Sequence, residues 1–95
     1  SIEGIHRLAL VFAEGMGGTP RNDTKAFELF DKAANAGHRR AQINLGILYF
    51  RGQGVERDLV QARAWLEKAA AGEDPYAWKG IEEHQRPMLR REAKA

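Results

Sequence analysis

The 95-residue chain lacks cysteine altogether, and its only serine is Ser1. Without cysteine there is no disulfide framework and no thiolate chemistry, and no redox compartment is assigned. With one serine, at the first position, most hydrolytic triads lose their nucleophile. No apolar run approaches the roughly 20 residues that cross a bilayer, and no signal-peptide pattern is present, so no membrane partner is expected. Neither sign of charge dominates: the net charge is +2, with −1 over residues 1–37, +3 over 38–72 and 0 over 73–95. A mildly basic middle does not make a polyanion binder, so no nucleic-acid partner is expected.

What the chain does have is repetition. Lys32-Ala33-Ala34 recurs as Lys68-Ala69-Ala70 at a spacing of 36, and Phe12-x-x-Gly15-x-Gly17 recurs as Tyr49-x-x-Gly52-x-Gly54 at 37. The first copy therefore carries one extra loop residue. A period in this range marks stacked supersecondary units rather than one globular core. The apolar content of 43% is compatible with a folded core in a chain of single-domain length.

Each copy reads as two helices joined by a glycine turn. In the second, Ala41, Leu45, Leu48 and Tyr49 share one helical face. Gly52 and Gly54 end that helix, and Asp58 stands where an N-cap accepts free backbone N–H groups. Ala62, Trp65, Leu66, Ala69 and Ala70 form the inward stripe of the second helix, up to Gly72. The first copy repeats the plan. Leu8, Ala9 and Phe12 pack inward, Gly15, Gly17 and Gly18 turn, and Asn22 or Asp23 caps; Ala26, Leu29, Phe30 and Ala33 then pack up to Gly37. Gly46 and the alanines at 41, 62 and 69 remove bulk so that neighbouring helices can approach.

Beyond Gly72, Asp74 and Pro75 start a closing helix whose Ala77 and Ile81 restart the apolar pattern. The pattern fades into polar residues and breaks at Pro87. The expected layout is one domain over 1–95: repeat 1 about 1–37, repeat 2 about 38–72, a capping helix about 74–86 and a tail 87–95. Ile2 and Ile5 open directly into a repeat with no polar cap. That predicts either further repeats upstream or pairing of two chains as a homodimer through this face.

At Ala41, Leu45-Gly46, Tyr49, Gly52-x-Gly54-Val55, Asp58, Ala62, Trp65, Lys68-Ala69-Ala70 and Gly72, the second copy resembles the Sel1-like repeat, a relative of the tetratricopeptide repeats. The first copy departs from the pattern: Gly4 stands for Ala41, Ala9 for Gly46 and Phe12 for Tyr49. The resemblance implies an all-α fold: an α/α right-handed superhelix, or solenoid, of about two helix pairs plus a C-terminal capping helix. It also implies that the chain's work is holding other proteins together. Some bacterial relatives with disulfide-bridged repeats have been assigned enzymatic activities, and the lack of cysteine separates this chain from that branch.

Other chemical readings find little material. The glycine runs follow helices, whereas phosphate loops follow strands. His6, His38 and His84 show no metal-ligand spacing, and His38 reads as a loop residue just past Gly37. Adjacent carboxylates at Glu73-Asp74 and Glu82-Glu83 diverge around a helix instead of opposing each other. The basic stretch Arg86–Lys94 has no interleaved aromatics for stacking on bases. Neither enzymatic activity nor a cofactor is expected.

The expected function is therefore a scaffold that binds a protein or peptide on the concave face lined by the first helix of each pair. With Leu45 and Tyr49 inward, His6, Arg7 and Leu10 of the first copy and Ile43, Asn44, Ile47, Phe50 and Arg51 of the second project toward the groove or its rim. Ala13, Glu14, Lys79 and Glu83 extend the rows. Asn44 and Arg7 would bond a peptide backbone or carboxylate, over an apolar floor of Ile43, Ile47 and Phe50. The alternatives are packing of Ile47 and Phe50 against the next unit, a self-associating structural fragment, an enzyme centred on His6 with Glu14, and a salt-sensitive nucleic-acid binder.

Overall fold

A computed structural model describes residues 1–72 of the chain. The expected capping helix, the tail, Lys79 and Glu83 lie outside the described residues. Four helices follow one another: α1 Ile2–Glu14, α2 Asp23–Asn35, α3 Arg39–Arg51 and α4 Leu59–Gly72. Each packs on its sequence neighbour, α1 on α2, α2 on α3 and α3 on α4. No strand occurs among the described residues. The expected all-α solenoid of helix pairs is what the chain adopts.

Every helix starts on a side-chain acceptor, and each uses a different residue type. Ser1 Oγ accepts from Gly4 N–H at 3.0 Å, and Asn22 Oδ1 from Lys25 N–H at 3.0 Å. Asp58 Oδ1 accepts from the Val60 and Gln61 N–H groups at 3.0 and 3.1 Å. His38 Nδ1 accepts from Ala41 N–H at 3.1 Å. His38 is thus the N-cap of α3, not a loop residue. These bonds satisfy backbone donors that a helix's first turn otherwise leaves unpaired.

The two intra-pair turns close identically despite their different lengths. Val11 O accepts from both Gly15 and Met16 N–H, and Leu48 O from both Gly52 and Gln53 N–H. Further on, Asn22 N–H donates to Phe12 O at 2.8 Å, and Asp58 N–H to Tyr49 O at 3.0 Å. The extra residue of the first turn is absorbed between these fixed points, and the register recovers before α2 begins.

The core holds Ala9, Ala26, Phe30, Ala33, Ala34, Ala41, Leu45 and Leu48, of which Phe30 and Leu45 are the largest fully buried side chains. Tyr49 and Trp65 pack against it half-buried, Tyr49 edge-on to Phe27 with ring centroids 5.4 Å apart. Gln42 Nε2 donates to Ala34 O at 3.2 Å, pairing a carbonyl near the end of α2 with a side chain of α3. Three of the expected inward residues are exposed. Leu8 is 46% exposed on the outer face of α1, which no described element covers; Leu66, 39% exposed, and Ala70 line the edge of the α3–α4 contact, where the Leu66 side chain also packs on Gly46.

Two glycines set the spacing of the stack. A Cβ on Gly46 would stand 2.8 Å from Leu66 Cγ and 3.1 Å from Ala62 O, so the backbone of α3 lies directly on the Leu66 side chain and the main chain of α4 at this point. Gly54 has φ +73°, and a Cβ there would fall into the Asp23 carbonyl group, 2.6 Å from its carbon. The second turn thus lies directly on the start of α2, where Gln53 Nε2 also donates to Asp23 Oδ1 at 3.2 Å. The Asp23 carboxyl is held below its usual range by the Arg21 guanidinium and by this amide.

Gly54→Ala combines left-handed strain with a backbone collision and is expected to destabilise by about 2–4 kcal/mol. In a chain of this size that lowers Tm by roughly 10–25 °C. Gly17→Ala, also left-handed but with open space around the added carbon, serves as the comparison and should cost about 1 kcal/mol. Equal Tm losses for the two variants, read by circular dichroism, would refute the tight contact at Asp23.

Candidate interaction cleft and its histidine wall

The first helices of the two pairs, α1 and α3, flank a cleft of about 240 Å³. The periodicity of α3 explains which residues reach it. Asn44, Ile47, Leu48 and Arg51 recur at i, i+3, i+4 and i+7, one stripe of a 3.6-residue helix. Leu10, Ala13 and Glu14 supply the same stripe from α1, Phe30 closes the floor and Gln53 stands at the turn. Leu10, Ala13, Phe30, Ile47 and Leu48 make the apolar surface, with Glu14, Asn44, Arg51 and Gln53 as polar groups around it.

Of the residues singled out in the sequence, the fold brings Leu10, Asn44, Ile47 and Arg51 into this cleft, together with Ala13 and Glu14. Ile43 is half-buried and outside the lining. Arg7 is exposed and turned to Glu3 on its own helix, with Nε 3.4 Å from Oε1. Phe50 goes elsewhere. It follows Gly46 by one helical turn, so it shares the α4-facing side of α3 and lines a second groove of about 490 Å³ with Leu59, Ala62, Arg63, Leu66, Glu67 and Ala70. Phe50 is 56% exposed there, with the Arg57 guanidinium 5.9 Å from its ring. Phe30, Leu48 and Gln53 belong to the cleft although the sequence reading did not propose them. The sequence pattern marks Phe30 as core and Gln53 as a turn residue, and both do double duty.

His6 does not project into the groove. It is 4% exposed, packed against Phe30 with ring centroids 5.8 Å apart and stacked on His38 at 4.4 Å. Asn44 Nδ2–H donates to its Nε2 at 3.2 Å, so one cleft residue is fastened to the histidine behind it. The Nε2 lone pair being used, the proton of the neutral ring sits on Nδ1, which is buried without a partner. Burial, followed by the charge of His38, lowers the His6 pKa, with Arg40 and Arg7 adding to the effect and Glu3 opposing it. Glu3 Oε2 lies 2.5 Å from His38 Nε2, and this bond depresses the Glu3 pKa.

Glu3, His6 and His38, separate in sequence, thus present ligand atoms within 4.8 Å of one another. Three such donors resemble a metal site, but the proton arrangement opposes one. His38 Nδ1 is occupied as an acceptor from Ala41 N–H. Its Nε2 therefore carries the proton, which it donates to Glu3. Histidine ligands have the reverse polarity: the outer nitrogen donates to a carbonyl or carboxylate and leaves the inner lone pair to the metal. A divalent ion here would require loss of the α3 cap. Addition of zinc at tenfold molar excess is accordingly expected to leave Tm unchanged, whereas a rise of several degrees would identify a metal centre.

Comparison with known proteins agrees with this architecture. The Sel1 repeat pattern matches residues 2–38 and again 39–74. The chain is 42% identical over 57 residues to the chitin synthase regulator SKT5 of Saccharomyces cerevisiae, covering 60% of this chain and 8% of that protein. It is 42% identical over 55 residues to the ERAD-associated E3 ubiquitin-protein ligase component HRD3B of Arabidopsis thaliana, covering 58% and 9%. The similarity thus spans less than a tenth of either relative. A crystal structure of a Sel1 repeat protein from Oxalobacter formigenes superposes with a TM-score of 0.74 at 35% identity, over 81% of this chain and 31% of that one. With two consecutive matches, the helix pairs and a solved counterpart in agreement, the chain belongs to the Sel1 repeat family.

Proposed function

We propose that this chain is a protein-interaction module that holds an extended segment of another protein in the α1–α3 cleft. The observation that carries the reading is the composition of that cleft: an apolar floor ringed by Glu14, Asn44, Arg51 and Gln53. An extended peptide exposes unpaired N–H and C=O groups along both edges. Amide side chains can serve either kind of group, Arg51 offers donors and Glu14 acceptors. The apolar floor then takes alternate side chains, as grooves that bind extended peptides do. Sel1 repeats are in general protein–protein interaction modules, and the two relatives named above are a regulator and a ligase component, which supports a scaffolding role over a catalytic one.

Self-association is the second reading. It is favoured by Ile2 and Leu8, 42% and 46% exposed on the outer face of α1. Sedimentation equilibrium of the full chain separates the two. A dimer that Leu8→Glu converts to monomer supports pairing, and a monomer at millimolar concentration removes it.

Peptides selected from a random library on the intact chain test the cleft. Ile47→Lys and Arg51→Glu are expected to weaken their binding at least about tenfold, equal to about 1.4 kcal/mol, with Tm within a few degrees of the parent. Arg7→Glu, outside the cleft, should change affinity less than about twofold. Undiminished binding by both cleft variants would place the interaction surface elsewhere.

A further inference from the structure

The two stacked histidines share a property that neither shows alone. Each uses its lone-pair nitrogen to accept a hydrogen bond from a donor that cannot reverse roles without local rearrangement. His6 Nε2 accepts from the Asn44 amide at 3.2 Å, and His38 Nδ1 accepts from Ala41 N–H at 3.1 Å. Such an acceptor exists only in the neutral ring. We propose that His6, stacked on His38, forms an acid-sensitive joint between the two repeats, closed while its ring is neutral and loosened when it takes up a proton.

Protonation of His6 sets donor against donor. On His6 the new proton enters at Nε2, facing the Asn44 NH₂ group, while Nδ1–H remains buried and unpaired. The resulting cation lies 4.4 Å from the His38 ring, beneath Phe30.

The charges around the pair do not rescue the cationic form. From α1 come Glu3 and Arg7, and from α3 Arg40 beside the two rings themselves, while α2 contributes the apolar Phe30. Glu3 alone favours a cation, and it is half-exposed and already shared with Arg7. A His6 pKa lowered below its ordinary 6.5 fixes the sign. The unfolded chain binds the proton more readily, so this stability is present above pH 6.5 and lost as pH falls below it through the folded-state value. The joint ties α1 to α3 next to the cleft, through Asn44. It does not depend on any ligand there, since every group in it belongs to the chain.

Two measurements on the full chain decide the matter. Long-range ¹H–¹⁵N spectra at pH 7.5 should show opposite tautomers, Nδ1–H on His6 and Nε2–H on His38. The same tautomer on both rings would overturn the proposal, and this reading needs no variant that folds. Thermal unfolding should then show Tm falling by about 4–8 °C between pH 7.5 and 5.5, the size of a 1 kcal/mol change in a chain of this length. The double variant His6→Phe/His38→Asn keeps an uncharged ring and a side-chain cap; it should lose less than about 2 °C. His84→Gln should behave like the parent. A flat parent profile, or an equal fall in the double variant, would defeat the idea.

Discussion

Seven of the ten buried apolar residues among the described residues are alanine, and the short distance this allows between helix backbones governs the rest of the molecule. Large side chains would separate the helices and fill the gap themselves. Here the gaps are closed by a few bulky groups, Phe30 and Leu45 above all, set among residues that scarcely protrude. At Gly46 and Gly54 the approach is tighter still, and main chain meets side chain or main chain directly. Close packing of this kind tolerates little change in volume, so the relative placement of the helices is well determined. The cleft inherits its shape from that placement.

Polar groups follow the same logic of enforced proximity. The end of α2 and the beginning of α3 are so near each other that Gln42 can pair with Ala34 O, and α1 lies near enough for Glu3 to reach His38. Buried polar groups in such places are expected to be hydrogen-bonded. His6 Nδ1 is an exception, and it coincides with the position where two repeats meet edge to edge. An orphaned polar atom beside a stacked pair of titratable rings gives that contact a chemistry unlike the apolar seams around it.

The fold was legible in the sequence because its signals are local. Alanine spacing, paired glycines and Asp58 or Asn22 at helix starts each act within one or two turns, and they repeat at the period of the unit. Two thirds of the cleft lining was legible as well, since Leu10, Ala13 and Glu14 on α1 and Asn44, Ile47 and Arg51 on α3 follow from the helical period alone. Phe50 was misplaced because its direction depends on what lies opposite Gly46, which is α4, a partner 16 residues away at Ala62. Leu8 reads as core because it is apolar and in phase, yet burial also demands a covering element; Leu66 has one on one side only, at Gly46. The histidines were hardest. Nothing near Gly37 distinguishes a capping imidazole from a loop residue, and the link from His38 to Glu3 spans 35 positions.

The cleft has one wall from each repeat, and this has a thermodynamic consequence. In a linear array, stability divides into terms intrinsic to each unit and terms for each junction between neighbours. A ligand that touches both walls can bind only when the junction is formed, so its free energy adds to the coupling term and leaves the intrinsic terms alone. Occupancy would therefore make the two units melt as one, sharpening the transition as well as raising its midpoint.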